Sequence, residues 1–89
     1  MKIKVIYRKN LKMSTGKVAA QVAHAVMGLE IIDHGCTIVV LKVSDKKFFD
    51  TIQDFQQNQK NIPFYIHRDF GLTEVAPSTE TCFAWVDSE

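Results

Sequence analysis

The chain is poor in the residues that mark several protein classes. It has two cysteines, Cys36 and Cys82, far apart and in no CxxC pattern. A disulfide framework is therefore not expected, and with His24, His34 and His67 scattered there is no zinc-ligand spacing. Both cysteines read as reduced, semi-buried strand residues of a cytoplasmic protein. No apolar run approaches the roughly 20 residues that span a bilayer, so no membrane segment is expected. The N-terminus alternates charge with hydrophobe from Lys2 onward, unlike the apolar segment of a secretory leader. No internal repeat, low-complexity tract or linker breaks the chain, and 89 residues predict one domain, 1–89, of modest buried surface.

One sign of charge is missing from each end. The first seventeen residues hold Lys2, Lys4, Arg8, Lys9, Lys12 and Lys17 and no acid, whereas no Lys or Arg follows Arg68. A basic end on a chain of net charge +1 suggests a polyanionic partner. The plain alternative is that the two ends neutralise each other in space.

What is present reads as an alternation of strands and helices. Lys2 to Arg8 alternates Ile3, Val5 and Tyr7 with Lys4, Ile6 and Arg8, a strand with a buried face. Ser14 or Thr15 can cap a helix that runs from about Lys17 to Asp33, with Gly35 suited to a left-handed stop. Val18, Val22, Ala25, Leu29 and Ile32 give that helix a buried face. Lys17, Gln21, His24 and Gly28 form a second stripe, which is either a solvated edge or a row of functional groups. The continuous run Cys36 to Val43 predicts a central strand covered on both faces. Ser44 and Asp45 cap a second helix that buries Phe48, Ile52 and Phe55, with Phe49 beside them. Strands are expected over Ile62–His67, with Pro63 at a start or edge, and over Glu80–Val86, joined by a loop. The order β-α-β-α-β-loop-β predicts a small α/β layer with right-handed crossovers, and a mixed sheet is permitted.

Gly16-Lys17 resembles half of a phosphate-binding loop, but Leu11 stands where the upstream Gly belongs and Val18 where a Ser or Thr would hold magnesium. A nucleotide triphosphatase is therefore set aside. Lys17 follows the first strand and Asp69 follows the third. If those strands run parallel, the two side chains reach one rim of the sheet, where sites of open α/β sheets lie. The alternative is a surface ion pair beside an ordinary turn.

Two stretches also carry a family resemblance. Arg8 to Ala25, RKNLKMSTGKVAAQVAHA, resembles the opening motif R-x-D-L-x-M-x-x-G-K-x-A-A-Q-x-A/S-H-A of the archaeal and eukaryotic class of peptidyl-tRNA hydrolases. Asp69 to Thr81 resembles that family's D-A-G-x-T-x-I-x-P-G-[ST]-x-T. The resemblance covers about Lys2 to Val86. It implies a four-stranded mixed sheet with helices on both sides, and hydrolysis without a metal of the ester joining a peptide to the terminal ribose of tRNA. By position, Lys17, Asp69, Thr73 and Thr81 match the catalytic residues, and Gln21 and His24 the polar helix face. The implied chemistry has Asp69 orienting or deprotonating water, Lys17 supporting the oxyanion or holding the terminal phosphodiester, and Thr73 and Thr81 aligning substrate. Lys9 and Lys12 would grip the tRNA backbone.

The departures are Asn10 for Asp, Phe70 for Ala, Ser78 for Gly and a short segment between Ala25 and Thr37. The family's closing Gly-Pro turn and helix have no counterpart before Glu89. One sheet face is thus expected to be thinly covered, with Ala84, Trp85 and Val86 as an apolar patch favouring a homodimer. Two other readings stand beside the hydrolase: a non-catalytic relative that binds RNA or a protein, and an unrelated small α/β interaction module.

Overall fold

The computed structural model describes residues 1–31, 35–59, 61–69 and 79–87. Strands β1 (Lys2–Arg8), β2 (Thr37–Val43), β3 (Phe64–Asp69) and β4 (Thr79–Asp87) form one sheet in the order β2-β1-β4-β3. β1 pairs parallel to β2 and antiparallel to β4, and β3 pairs antiparallel to β4. β1 and β3 therefore run the same way, and the mixed four-stranded sheet is as expected. Helices α1 (Thr15–Gly28) and α2 (Asp45–Asn58) cover opposite faces.

Strand periodicity assigns the two cores. Ile3, Val5, Cys82 and Ala84 point to one face and pack with Ala25 of α1. Ile6 and Phe83 point to the other and pack with Phe48, Ile52 and Phe55 of α2, flanked by Phe64 and Trp85. Phe55 meets the rings of Phe64, Phe83 and Trp85 at centroid distances of 5.1–5.9 Å, the tilted and edge-on arrangements that aromatic quadrupoles favour. Both helices start as the sequence indicates: the hydroxyls of Ser14 and Ser44 accept from the amides of Lys17 and Lys47, each at 3.2 Å.

Arg8 ties the end of β1 to both neighbours. Its guanidinium donates twice to Asp45, at 2.9 Å each, and once to the Glu80 carbonyl at 2.9 Å, and it lies 4.9 Å from the centroid of the exposed Phe49 ring. Asn10, the departure from the motif's Asp, accepts from the Asp45 amide through Oδ1 at 3.0 Å, as a carboxylate oxygen there could.

Several expectations need correction. α1 ends at Gly28, well before Asp33; Leu29 and Glu30 donate to carbonyls three residues back, and Glu30 (φ 59°), not a glycine, takes the left-handed conformation just after the helix. Residues 32–34 lie outside the described set. β2 is not a central strand: it forms the sheet edge, with Ile38, Val40 and Leu41 41–47% exposed. α1 packs against β3, β4 and β1, which leaves β2 outside its cover. The thinly covered region is thus β2. Ala84 is fully buried, and Trp85 packs into the aromatic cluster, so the patch expected at Ala84–Val86 does not form. β3 starts and ends two residues later than expected and β4 is one residue longer at each end, which places Asp69 inside β3 rather than in a loop.

Candidate active site

α1 lies with its second stripe against β3. Lys17 occupies the first turn, where a cation opposes the helix dipole and no acidic residue offsets it within the helix. Asp69, 52 positions later in the sequence, supplies the missing charge: Lys17 Nζ donates to its Oδ1 at 2.7 Å, with both side chains at most 10% exposed. Gln21, one turn on and 2% exposed, donates Nε2 to the same oxygen at 3.0 Å. The Gln21 carbonyl accepts from the fully buried hydroxyl of Thr81. The four side chains form one connected network, Lys17–Asp69–Gln21–Thr81, built from α1, β3 and β4.

A β-bulge makes the last link. Cys82 pairs with His67 and Glu80 with Arg68, so Thr81 is the extra residue on β4. Cys82 already packs on the α1 side of the sheet. Regular alternation would turn Thr81 away from α1; the bulge lets consecutive residues share that side, and the hydroxyl reaches Gln21. Burial pushes the neighbouring Cys82 thiol up to about 12, so it stays a neutral packing group.

Lys17, Asp69, Gln21 and Thr81 are thus brought together. Gln21 and Thr81 are enclosed, Gln21 against Asp69 and Thr81 against Gln21. His24 is exposed one step further along the stripe, and its ring stacks on that of His67 at 5.0 Å and 14°. Burial, and secondarily His24, hold the His67 pKa below its ordinary value, with Asp69 opposing and Lys17 assisting. Thr73 lies outside the described residues, as do Phe70 and Ser78.

Lys9 and Lys12 stand on the other flank of the α1 start. A 3₁₀ turn at Lys9–Leu11 and a left-handed Lys12 (φ 54°) fold the connection tightly. With Arg8, Thr15 and Lys42 they line a cavity of about 180 Å³. Arg8 is committed to Asp45, whereas Lys9, Lys12 and Lys42 form no ion pair among the described residues. The basic end is therefore partly neutralised, through Lys4–Asp87 at 3.3 Å, Arg8–Asp45 and Lys17–Asp69, and partly left as a cationic pocket. Lys42 belongs to no motif, and pairing of β2 with β1 is what carries it there. His67 carried a readable signal, since it lies two residues before Asp69 and so shares its face of the strand.

No group of three or more potential metal-binding side chains occurs among the described residues, and no helix there is long and apolar enough to cross a membrane.

Fold and network together define a compact α/β protein whose polar centre joins an ammonium and a carboxylate at the rim of a mixed sheet. A family model described as peptidyl-tRNA hydrolase PTH2 matches residues 1–86, and the chain belongs to that family. Among curated relatives, a protein of Methanopyrus kandleri named peptidyl-tRNA hydrolase is 37% identical over 88% of this chain and 77% of its own length. Relatives of the same name from Haloquadratum walsbyi and Thermococcus onnurineus are 35% and 31% identical, over 94% and 90% of this chain and 83% and 78% of their own lengths.

Proposed function

We propose that this chain is a peptidyl-tRNA hydrolase, cleaving the ester between a peptide and the terminal ribose of tRNA as one domain acting in the cytoplasm. The observation that carries this reading is the Lys17–Asp69 contact at 2.7 Å, held from behind by Gln21 and Thr81. An activated acyl ester needs a positioned water and a cation where negative charge develops. In this reading the Asp69 carboxylate orients the water and accepts its proton, and Lys17 faces the developing oxyanion. Gln21 and Thr81 are positioning residues that fix the carboxylate. Thr73 aligns substrate, as the family motif implies, and His24 binds it beside the ester.

The cavity formed by Lys9, Lys12 and Lys42 takes phosphates of the tRNA backbone, so affinity falls steeply with salt. We further propose that a second copy of the chain covers the apolar edge at β2. Its candidate surface is the groove of about 610 Å³ between β2 and α1, lined by Val18, Val22, Val26, Met27, Ile38 and Val40.

The test is turnover of an N-blocked aminoacyl-tRNA. Wild type is expected to release the blocked amino acid, and Asp69→Asn to lose on the order of a hundredfold or more in kcat with its circular dichroism retained. Absence of turnover by wild type, with salt-sensitive tRNA binding intact, would overturn the enzymatic reading in favour of an RNA-binding relative.

A further inference from the structure

The α1–β3 seam does not end at the charged network. Going back along β3, the residues on the α1 side are Asp69, His67 and Tyr65, and α1 meets them in turn with Lys17 and Gln21, His24 and Gly28. The last rung is a backbone contact: a Cβ built on Gly28 would overlap the Tyr65 ring, so the ring sits directly against the helix. Exposure rises along the row, from 6% at Asp69 to 9% at His67 and 37% at Tyr65. The stripe that could have been a solvated helix edge is a packed seam beside Lys17–Asp69 that reaches solvent at His24 and Tyr65.

Packing alone does not call for this choice of residues. An aliphatic side chain at His67 would fill the strand face without burying a polar ring. Burial, and then the His24 ring stacked on it at 5.0 Å, disfavour protonation of His67. The result is a flat ring surface, with His24 as its exposed member. β3 is an edge of the sheet, so among the described residues no further strand covers the outer side of the row.

We propose that the His24–His67 stack, continued by Tyr65, is the platform on which the bases of the 3′-terminal nucleosides of the tRNA stack while the ester lies at Lys17–Asp69. The proposal rests on the hydrolase reading above. A ribose whose ester is held at Asp69 must place its base close by, and the imidazole pair is the next rung, about 6.7 Å away along the strand. Same-face residues of a strand repeat at nearly the spacing of bases in an extended single strand, so Tyr65 is set to meet a second base. Ring faces without a hydrogen-bond code suit bases, each of which has a π-face.

The experiment uses the full chain and two ligands: N-acetylaminoacyl-tRNA as substrate, and an unacylated trinucleotide copying the tRNA 3′ end as competitive inhibitor. His24→Ala is expected to raise the trinucleotide inhibition constant and the substrate KM on the order of tenfold, with a smaller effect on kcat. His24→Phe should recover most of that loss, because it restores a ring without a titrating group. Titration with trinucleotide should shift the ring proton resonances of His24, His67 and Tyr65 upfield. Unchanged inhibition by the trinucleotide in His24→Ala overturns the proposal, as do ring resonances that stay in place at saturation. So does a loss that follows the acyl chain instead of the nucleotides, which would assign the seam to the peptide. Failure of wild type to cleave the tRNA ester would reject the hydrolase reading alone, since the trinucleotide titration judges the platform separately.

Discussion

The two flanks of α1 are built on opposite terms. Toward β3 the helix presents Lys17, Gln21, His24 and Gly28, and most of that seam is enclosed, with no buried side-chain nitrogen or oxygen among the described residues left without a partner. Toward β2 it presents Val18, Val22 and Val26 to an open groove in which Ile38 and Val40 stay more than 40% exposed. Polar groups are therefore buried where apolar ones would pack at lower cost, and apolar groups are exposed where polar ones would be better solvated. Stability alone favours the reverse arrangement. Under the proposals above, the inversion reflects a substrate on one flank and a second copy of the chain on the other.

The sharpest way to break the comparison is to remove one charge from the enclosed flank. Lys17→Met leaves the Asp69 carboxylate buried without its ammonium. Chemical denaturation should show a loss of about 3–5 kcal/mol, a large share of the stability of a domain this size. Gln21→Leu comes next. It removes a donor from Asp69 and the acceptor of the buried Thr81 hydroxyl, for a loss of about 1–3 kcal/mol by the same measurement.

A smaller effect comes from pH. His67 faces His24 and Lys17 on α1, Asp69 on its own strand and Cys82 across the ladder. Its pKa is lowered in the folded chain, so the unfolded chain binds the proton first as pH falls. This contribution is fully present above the ordinary histidine value of about 6.5, and is lost as pH falls from there through the lowered folded value. The thermal midpoint should drop across that window in wild type and drop less in His67→Phe. The open flank should respond least: Val40→Lys is expected to change monomer stability by no more than about 0.5 kcal/mol. The same change should abolish concentration-dependent self-association in sedimentation. A large destabilisation of the monomer would show that β2 is core after all and dissolve the contrast.

Local chemistry made much of this legible. Ser44 and the Phe48, Ile52, Phe55 spacing identify α2 because a cap and a 3.6-residue period need no distant information. Lys17 and Asp69 could be brought to one rim in advance because Lys17 follows β1 and Asp69 lies at the end of β3, and the two strands run the same way. The stop of α1 was hidden because the Gly28–Tyr65 contact joins segments remote in sequence. The edge position of β2 was hidden because a run of β-branched residues reads alike in a central strand and in an edge awaiting a partner. Asp69 inside β3 and Thr81 behind Gln21 depend on ladder register, which periodicity does not reveal when a strand carries one residue too many.

That surplus residue has a consequence for the site. Deleting one position from β4 at Thr81 would give a uniform ladder and an ordinary sheet, while the hydroxyl behind Gln21 would be lost. The register of this one ladder, and not the sheet's order or its two cores, is therefore what sets a hydroxyl behind the Gln21–Asp69 contact.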